Sequence, residues 1–287
     1  MPAPLLFVVS GLTQYLGAAL AVGVFGTIAA ASVAWLRVAV AAVVLVLWQR
    51  PWRSRWRLAD LRTAAVFGVV LAVMNVAFYV AIDHLPLGTA VSLEFLGPVA
   101  VAAVTGRGWR DRVGIAVAAA GVVLLAGVSL DTGPDAVVGL VAISVAAACW
   151  AAYILLGRRV ARAANGGIRG LSVAMVAGAV VLGPLLAGGA GPVLHDGRLA
   201  ALVIAIAVCS SVVPYALEQV VLRTVRPATF AVLLAMLPAT AAVVGAVLLQ
   251  QVPHGLEVVG LLLVSGAIVL TGLDRDAPPT DEAPPPA

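Results

Sequence analysis

The chain has 287 residues, of which 63% are apolar and 10% are charged, and its formal net charge is +4. Soluble domains contain about 45–50% apolar and about 25% charged residues, so a mean hydropathy of +1.12 excludes a water-soluble core. The same composition excludes a disordered chain, and the long unbroken apolar runs exclude a transmembrane β-barrel. The sequence therefore predicts an all-α membrane protein that crosses the bilayer several times.

Ten apolar segments follow one another along the chain, and each is close to the roughly 20 residues that a membrane-spanning helix needs. They cover residues 5–25, 29–49, 62–82, 86–105, 111–129, 137–157, 168–188, 199–221, 227–249 and 256–272. The remaining residues 274–287 form an acidic, Pro-rich tail that we expect to be disordered, because it has too little apolar surface to bury.

The positive charges predict how the chain is oriented. All 17 are arginines, and all but Arg37 and Arg198 fall in loops on one side of the predicted membrane or on the tail. Short loops rich in arginine face the cytoplasm, so we expect both termini to be cytoplasmic. Because no surface rich in both aromatic and basic residues accompanies these arginines, nucleic acid is not an expected partner.

An internal repeat divides the ten segments into two halves. LPLGTAVSLEFLGP at 85–98 aligns without gaps to VRPATFAVLLAMLP at 225–238, with Pro98 opposite Pro238. Five helices per half is an odd number, so the two halves would cross the membrane in opposite senses, as in many secondary transporters. A coincidental match between Ala-, Val- and Leu-rich runs is the alternative. The predicted units are residues 1–130, residues 131–273 and the tail 274–287.

Two charged residues lie inside predicted membrane segments. Arg37 and Glu94 are each about eight residues from the outer end of their segment, or roughly 12 Å deep. A charge at the bilayer centre costs at least about 2.5–3.5 kcal/mol, so it needs a partner or a function. One interpretation is a site for a zwitterion, in which Arg37 binds a carboxylate and Glu94 binds an ammonium or exchanges a proton. The other is a permanent ion pair that joins two helices.

Polar and aromatic residues inside the segments complete the predicted substrate-binding site. They are Gln14, Asn75, Tyr79, Trp150, Tyr153 and Tyr215. Asn75 and Tyr79 are four residues apart and share one helical face. Hydrogen bonds between helices, or an aromatic belt at the membrane surface, are the alternatives. Glu218 joins the candidates as a site residue, a gate or a carboxylate that reaches the interface.

Three prolines interrupt predicted helices: Pro98, Pro214 and Pro238. Broken helices occur at membrane depth where they line a cavity or where neighbouring groups satisfy the freed carbonyls. We expect the hydroxyls of Ser210 and Ser211 to satisfy those near Pro214.

Metal or cofactor chemistry has no candidate in the sequence. No His, Cys or carboxylate spacing matches a metal site, and Cys149 and Cys209 are expected to be small core residues. The prediction is therefore a protein without a metal or a cofactor.

Three stretches carry a family resemblance: residues 78–102, 148–159 and 210–230. They resemble the threonine/homoserine exporter branch of the EamA family, in the drug/metabolite transporter superfamily. The resemblance implies a ten-helix inner-membrane exporter of small amino acids that uses the proton gradient. Glu94 corresponds to the glutamate of that branch's LEF-x-GP motif, and Glu218 to the glutamate of its SS-x-x-PY-x-LE motif.

The chain also departs from that branch. Leu237 precedes Pro238 where the branch has a glutamate, and Gln250 and Gln251 replace a Gly-Glu pair near the end of the ninth segment. These departures affect the expected substrate and proton coupling, not the fold.

The function that we predict is export of small amino acids by alternating access, in antiport with protons, across the bacterial inner membrane. The expected partners are an amino acid or related metabolite, protons and the lipid bilayer. One alternative is an exporter of another metabolite or a drug-like solute. A more distant one is a membrane-embedded enzyme acting on lipid, but the loops offer neither a nucleophile–base pair nor a metal cluster, so we do not expect an enzyme.

Overall fold

A computed structural model describes residues 3–105, 109–130, 135–162, 167–214, 217 and 236–273. Within these ranges the regular structure is helical and contains no strand, which confirms the predicted all-α class. Helices lie in all ten predicted apolar segments, as far as those segments are described.

Twelve α-helices are numbered here in chain order within the described ranges. They are α1 (Ala3–Val22), α2 (Ala30–Gln49), α3 (Leu58–His84), α4 (Leu87–Glu94), α5 (Leu96–Thr105), α6 (Trp109–Leu130), α7 (Asp135–Arg162), α8 (Ile168–Leu186), α9 (Gly191–His195), α10 (Gly197–Ala207), α11 (Met236–Leu248) and α12 (Leu256–Leu273). Short 3₁₀ turns cover Pro51–Arg53 and Ala187–Ala190, and a π-helical turn, Val208–Val212, continues α10.

Four of the described helical stretches are long and apolar enough to cross a membrane, judged by length and composition. They are Ala30–Arg53, Leu58–His84, Asp135–Gly157 and Ile168–His195. Shorter apolar helices of 10–17 residues make up the other segments. Long exposed apolar residues such as Val104 and Leu185 cover the outside of the bundle, as expected for a surface that contacts lipid rather than water.

The first predicted segment ends earlier than its apolar run. We expected helix as far as residue 25, but α1 ends at Val22. The backbone then turns with shorter-range hydrogen bonds, from Val24 N to the Ala21 carbonyl (3.0 Å) and from Thr27 N to the Val24 carbonyl (2.9 Å). Gly23 and Gly26 lie in this stretch, and glycine is a poor helix former even when its neighbours are apolar.

Small residues set how closely the helices pack. A Cβ atom at Gly68 of α3 would collide with the backbone of Ala174 in α8, and one at Gly97 of α5 would collide with the backbone of Ala147 in α7. Such backbone-to-backbone contact is typical of helices that associate in membranes. Other helix pairs that pack closely are α3 with α7, α6 with α12, α2 with α8, and α4 with α11.

Candidate functional site

Arg37 lies in the interior of the bundle and is held there by two side chains. It is in the first half of α2, and it is only 6% exposed. Its Nε donates a hydrogen bond to Ser211 Oγ at 2.8 Å, and its Cζ lies 5.2 Å from the centroid of the Tyr79 ring. A hydrogen-bond acceptor and an aromatic face both stabilise a guanidinium that has left water.

The π-helical turn brings Ser211 to Arg37. Pro214 has no backbone N–H and cannot donate to the carbonyl four residues back, at Ser210. The turn just before Pro214 is wider than an α-helical turn, and Val213 N donates to the carbonyl of Val208, five residues back. Single π turns of this kind are frequent at functional sites.

Ser210 does not fill the role that the sequence predicted for it. Ser210 Oγ donates to the backbone carbonyl of Gln14 in α1 at 3.1 Å, and Ser211 Oγ accepts from Arg37. Both hydroxyls therefore contact neighbouring helices. The expectation of local repair was wrong for Ser210, because the wide turn points this hydroxyl at α1, which approaches closely at Gly17.

Tyr79 is fully buried in α3, with an exposed fraction of 0%. Its ring packs against Phe25 and Phe78, with centroids 5.9 and 6.2 Å away. In the described part of the chain, the Tyr79 hydroxyl has no hydrogen-bond partner. A buried polar group left this way costs about 1–3 kcal/mol, so it is a group that a ligand or a water molecule would satisfy.

Asn75 lies one turn before Tyr79 and is also buried. Its Nδ2 donates to the Leu71 carbonyl of the same helix at 2.7 Å. The side-chain carbonyl oxygen of Asn75 can still accept, and it projects from the face of α3 that Tyr79 shares.

Glu94 lies where a helix is broken. It is the last residue of α4, Phe95 forms a turn, and α5 begins at Leu96. Pro98 has no N–H to offer the Glu94 carbonyl, which accounts for a break at this position. The Glu94 side chain therefore lies beside unsatisfied backbone, an arrangement that occurs at membrane depth only inside protein or beside a cavity.

The charge of Arg37 attracts the Glu94 carboxyl group. The two side chains belong to different helices and lie close enough to interact electrostatically. Every residue from Leu87 to Leu93 is buried, whereas Glu94 is partly accessible.

The remaining predicted residues divide between two places. Trp150 packs edge-on against Phe95 at the α4–α5 break, with ring centroids 4.7 Å apart, so it borders the Glu94 region. Tyr153 stacks on Phe67 at 4.8 Å and belongs to a separate apolar cluster with Leu71 and Met175. Gln14 is half-buried in α1, and its backbone carbonyl receives the Ser210 hydrogen bond.

Some predicted residues fall at or beyond the limits of the described structure. Tyr215 and Glu218 lie outside the described residues. Pro214 is described and buried, and Pro238 is the third residue of α11, also buried. The cysteines Cys149 and Cys209 are both free and half-buried.

The three departures from the family pattern have clear local environments. Leu237 is buried at the start of α11. Gln251 Oε1 accepts a hydrogen bond from Leu87 N at 2.9 Å and so caps the first turn of α4. Gln250 adopts a left-handed backbone conformation, with φ of 57°, and its Nε2 donates to the Val247 carbonyl.

Ser211 is the residue that sequence reasoning missed as part of the site. Two adjacent serines, three and four residues before a proline in an apolar segment, were a visible signal. Only the fold brings that segment next to α2, because Arg37 and Ser211 are 174 residues apart along the chain.

Comparison with known proteins identifies the family of the chain. Residues 137–273 match the EamA-like transporter family. The threonine/homoserine exporter RhtA of Salmonella typhimurium (strain SL1344) is 34% identical over 251 residues, covering 88% of this chain and 84% of its own. RhtA of Escherichia coli (strain K12) is 34% identical over 257 residues, covering 90% of this chain and 85% of its own.

A solved crystal structure shares the fold. It aligns with a TM-score of 0.58 and covers 96% of this chain and 99% of its own, at 18% sequence identity. Together the apolar helices and the family match define an integral membrane protein of the transporter class. The chain belongs to the EamA-like transporter family, in the branch represented by the threonine/homoserine exporters.

Proposed function

We propose that this protein exports threonine, homoserine or similar small amino acids across the bacterial inner membrane by alternating access. The relatives that align with this chain over most of their own length are named as threonine/homoserine exporters. The observation that carries the proposal is the pairing of Arg37 and Glu94, two charged groups inside the bundle that lie close enough to interact electrostatically.

This pair suits a zwitterion. Arg37 would hold the carboxylate through its guanidinium group, and Glu94 would hold the ammonium. The orphaned hydroxyl of Tyr79, whose ring lies under Arg37, would donate to or accept from the solute.

Alternating access needs two halves that move against each other, and the packing pattern supports an inverted repeat. The pairs α2–α8, α4–α11 and α6–α12 each join segments at equivalent positions of the two proposed halves. Contacts of α3 with α7 likewise have their counterpart in contacts of α1 with α10. The Arg37–Ser211 hydrogen bond crosses between the halves, so it would report their relative position.

Glu94 is the group that we propose for proton coupling. A carboxylate that faces internal space can exchange a proton and a solute ammonium in turn, which is the requirement for antiport. With both termini cytoplasmic, the arginines of the α2–α3 connection would lie on the inside, and the start of α4 would face outward.

Two departures from the exporter branch affect which solute the protein carries. Leu237 lies where the exporter branch has a glutamate, and Gln251 has a structural role as the cap of α4. These replacements favour a second candidate within the same class, an exporter of a related metabolite that carries less positive charge. A panel of labelled solutes separates the two.

The decisive experiment is efflux from proteoliposomes. The purified protein is reconstituted, the vesicles are loaded with labelled threonine or homoserine, and efflux is followed with and without a pH gradient. Saturable efflux that the gradient accelerates supports the proposal. Efflux no faster than from protein-free vesicles, for both solutes, would contradict it.

A further inference from the structure

A cavity that neither Arg37 nor Glu94 lines lies at the end of the bundle where α4 begins. It has a volume of about 230 Å³ and lies between the first turn of α4, the end of α11 and the start of α12. Its polar lining includes Thr89, Gln251, His254 and Glu257. Because a water molecule occupies about 30 Å³ in the liquid, the cavity has room for a small solute.

The walls of this cavity are held in place without a ligand. Gln251 Oε1 accepts from Leu87 N at 2.9 Å, which ties the α11–α12 connection to α4. Gln251 N donates to the Gly245 carbonyl at 3.0 Å. At the start of α12, Glu257 Oε2 accepts from His254 N at 3.1 Å. Preformed walls of this kind are typical of binding pockets.

Several polar groups on these walls remain available to a ligand. Thr89 lines the cavity and is only 4% exposed, and its hydroxyl can donate and accept hydrogen bonds. Glu257 uses one carboxylate oxygen on the His254 backbone, and the other can accept from a ligand. The side-chain carbonyl of Gln251 already accepts from Leu87 N, and its NH₂ group can donate a hydrogen bond to a ligand.

The charge of the cavity selects the ligand class. Glu257 contributes a negative charge, and no arginine is among the described residues that line the cavity. A cationic ammonium is therefore favoured next to Glu257, with a hydroxyl or carbonyl of the same molecule near Thr89 and the Gln251 amide. A small amine that carries a hydrogen-bonding group, including an amino acid, has this chemistry.

We propose that this cavity is a second solute-binding site, distinct from the Arg37–Glu94 site, for small molecules with an ammonium group and a neighbouring hydroxyl or carbonyl. The assignment of amino acids to this class rests on the proposed function. In the proposed orientation the cavity opens to the outside, so it would hold a solute after its release from the central site.

Equilibrium binding of labelled L-threonine to the full-length protein in lipid nanodiscs tests this site. The Glu94→Gln variant removes the central carboxylate and isolates the second site. We expect it to keep one class of weak binding, which ethanolamine displaces and lactate does not, because lactate has no ammonium. Adding Glu257→Gln or Thr89→Val should then weaken the remaining binding about tenfold or more.

The substitutions preserve the local structure. Glutamine at 257 keeps a carbonyl oxygen that can accept from His254 N, so the cap of α12 survives. The matched control is Asp196→Asn, which alters another exposed acid that caps a helix, through Arg198 N and Leu199 N, outside the cavity. We expect this control, in the Glu94→Gln background, to bind as before.

Two results would overturn the second site. One is loss of all threonine binding on Glu94→Gln alone, and the other is residual binding that Glu257→Gln and Thr89→Val leave unchanged. Neither result bears on whether wild-type protein exports amino acids. Conversely, wild-type vesicles that fail to export would contradict the proposed function, while residual binding sensitive to Glu257→Gln would still support the cavity.

Discussion

Arg37 and Ser211 are joined by a buried hydrogen bond of 2.8 Å between Nε and Oγ, although 174 residues separate them in the chain. The bond links α2 to the π-helical turn before Pro214. It fixes the position of a guanidinium that also lies over the ring of Tyr79. One hydroxyl therefore orients the cation that we propose binds the solute carboxylate.

The serine pair provides a matched test of that bond. Ser211→Ala removes the acceptor for Arg37 Nε, and a hydrogen bond to a charged group contributes about 1.5–3 kcal/mol. We expect kcat/KM for threonine efflux to fall about tenfold or more, with the larger effect on KM. Ser211→Thr, which restores the hydroxyl, should recover most of the activity.

The control is Ser210→Ala, which removes a hydroxyl from the same turn that contacts the Gln14 carbonyl rather than Arg37. Ser210→Ala should lower the melting temperature about as much as Ser211→Ala does, but it should change the KM for threonine much less. Equal effects of the two alanine variants on KM would contradict a specific role for Ser211.

Neutralising Glu94 tests the acid of the proposed site. Glu94→Gln keeps the size of the side chain and removes its charge, so we expect the protein to insert into the membrane normally and to lose threonine efflux. Asp83→Asn, which alters an exposed acid near the end of α3, should retain efflux. Normal efflux by Glu94→Gln in loaded vesicles would remove Glu94 from the mechanism.

Tyr79→Phe separates binding from stability. Because the hydroxyl is buried and has no hydrogen-bond partner in the described residues, its removal should leave the melting temperature unchanged or raise it, as loss of an unsatisfied polar group does. The same change should raise the KM for threonine if the hydroxyl contacts the solute. A lowered melting temperature together with an unchanged KM would show that the hydroxyl has a structural role.

Close helix packing is tested at two glycines. Gly68→Ala places a Cβ against the backbone of Ala174, and overpacking of this kind costs typically about 1–3 kcal/mol. We expect a lower yield of folded protein in detergent and a lower melting temperature. Gly127→Ala, where a Cβ would meet nothing within 4 Å, should be tolerated, and equal losses in both variants would contradict the packing account.

The segments and the charged pair could be predicted from the sequence because their signals are local. An apolar run of about 20 residues indicates a membrane helix wherever it occurs, and a charge within it indicates a site or an ion pair. Arg37 and Glu94 were identified in this way, and the structure places them within electrostatic reach of each other.

The contacts between distant helices could not be predicted. Ser211 reaches Arg37, and Gln251 reaches Leu87, only because the fold packs segments far apart in the chain. For the same reason Tyr153 and Tyr79, both aromatic candidates in apolar segments, lie in different clusters. Helical periodicity alone does not distinguish them, because these helices are apolar on nearly every face.

A structure of the protein determined with bound L-threonine tests the central claim most directly. We predict that the amino acid lies between Arg37 and Glu94, with its carboxylate toward the guanidinium, its ammonium toward the carboxyl group, and the Tyr79 hydroxyl within hydrogen-bond distance. Threonine bound only elsewhere, with Arg37 and Glu94 directed toward lipid or joined in a closed ion pair, would contradict the account.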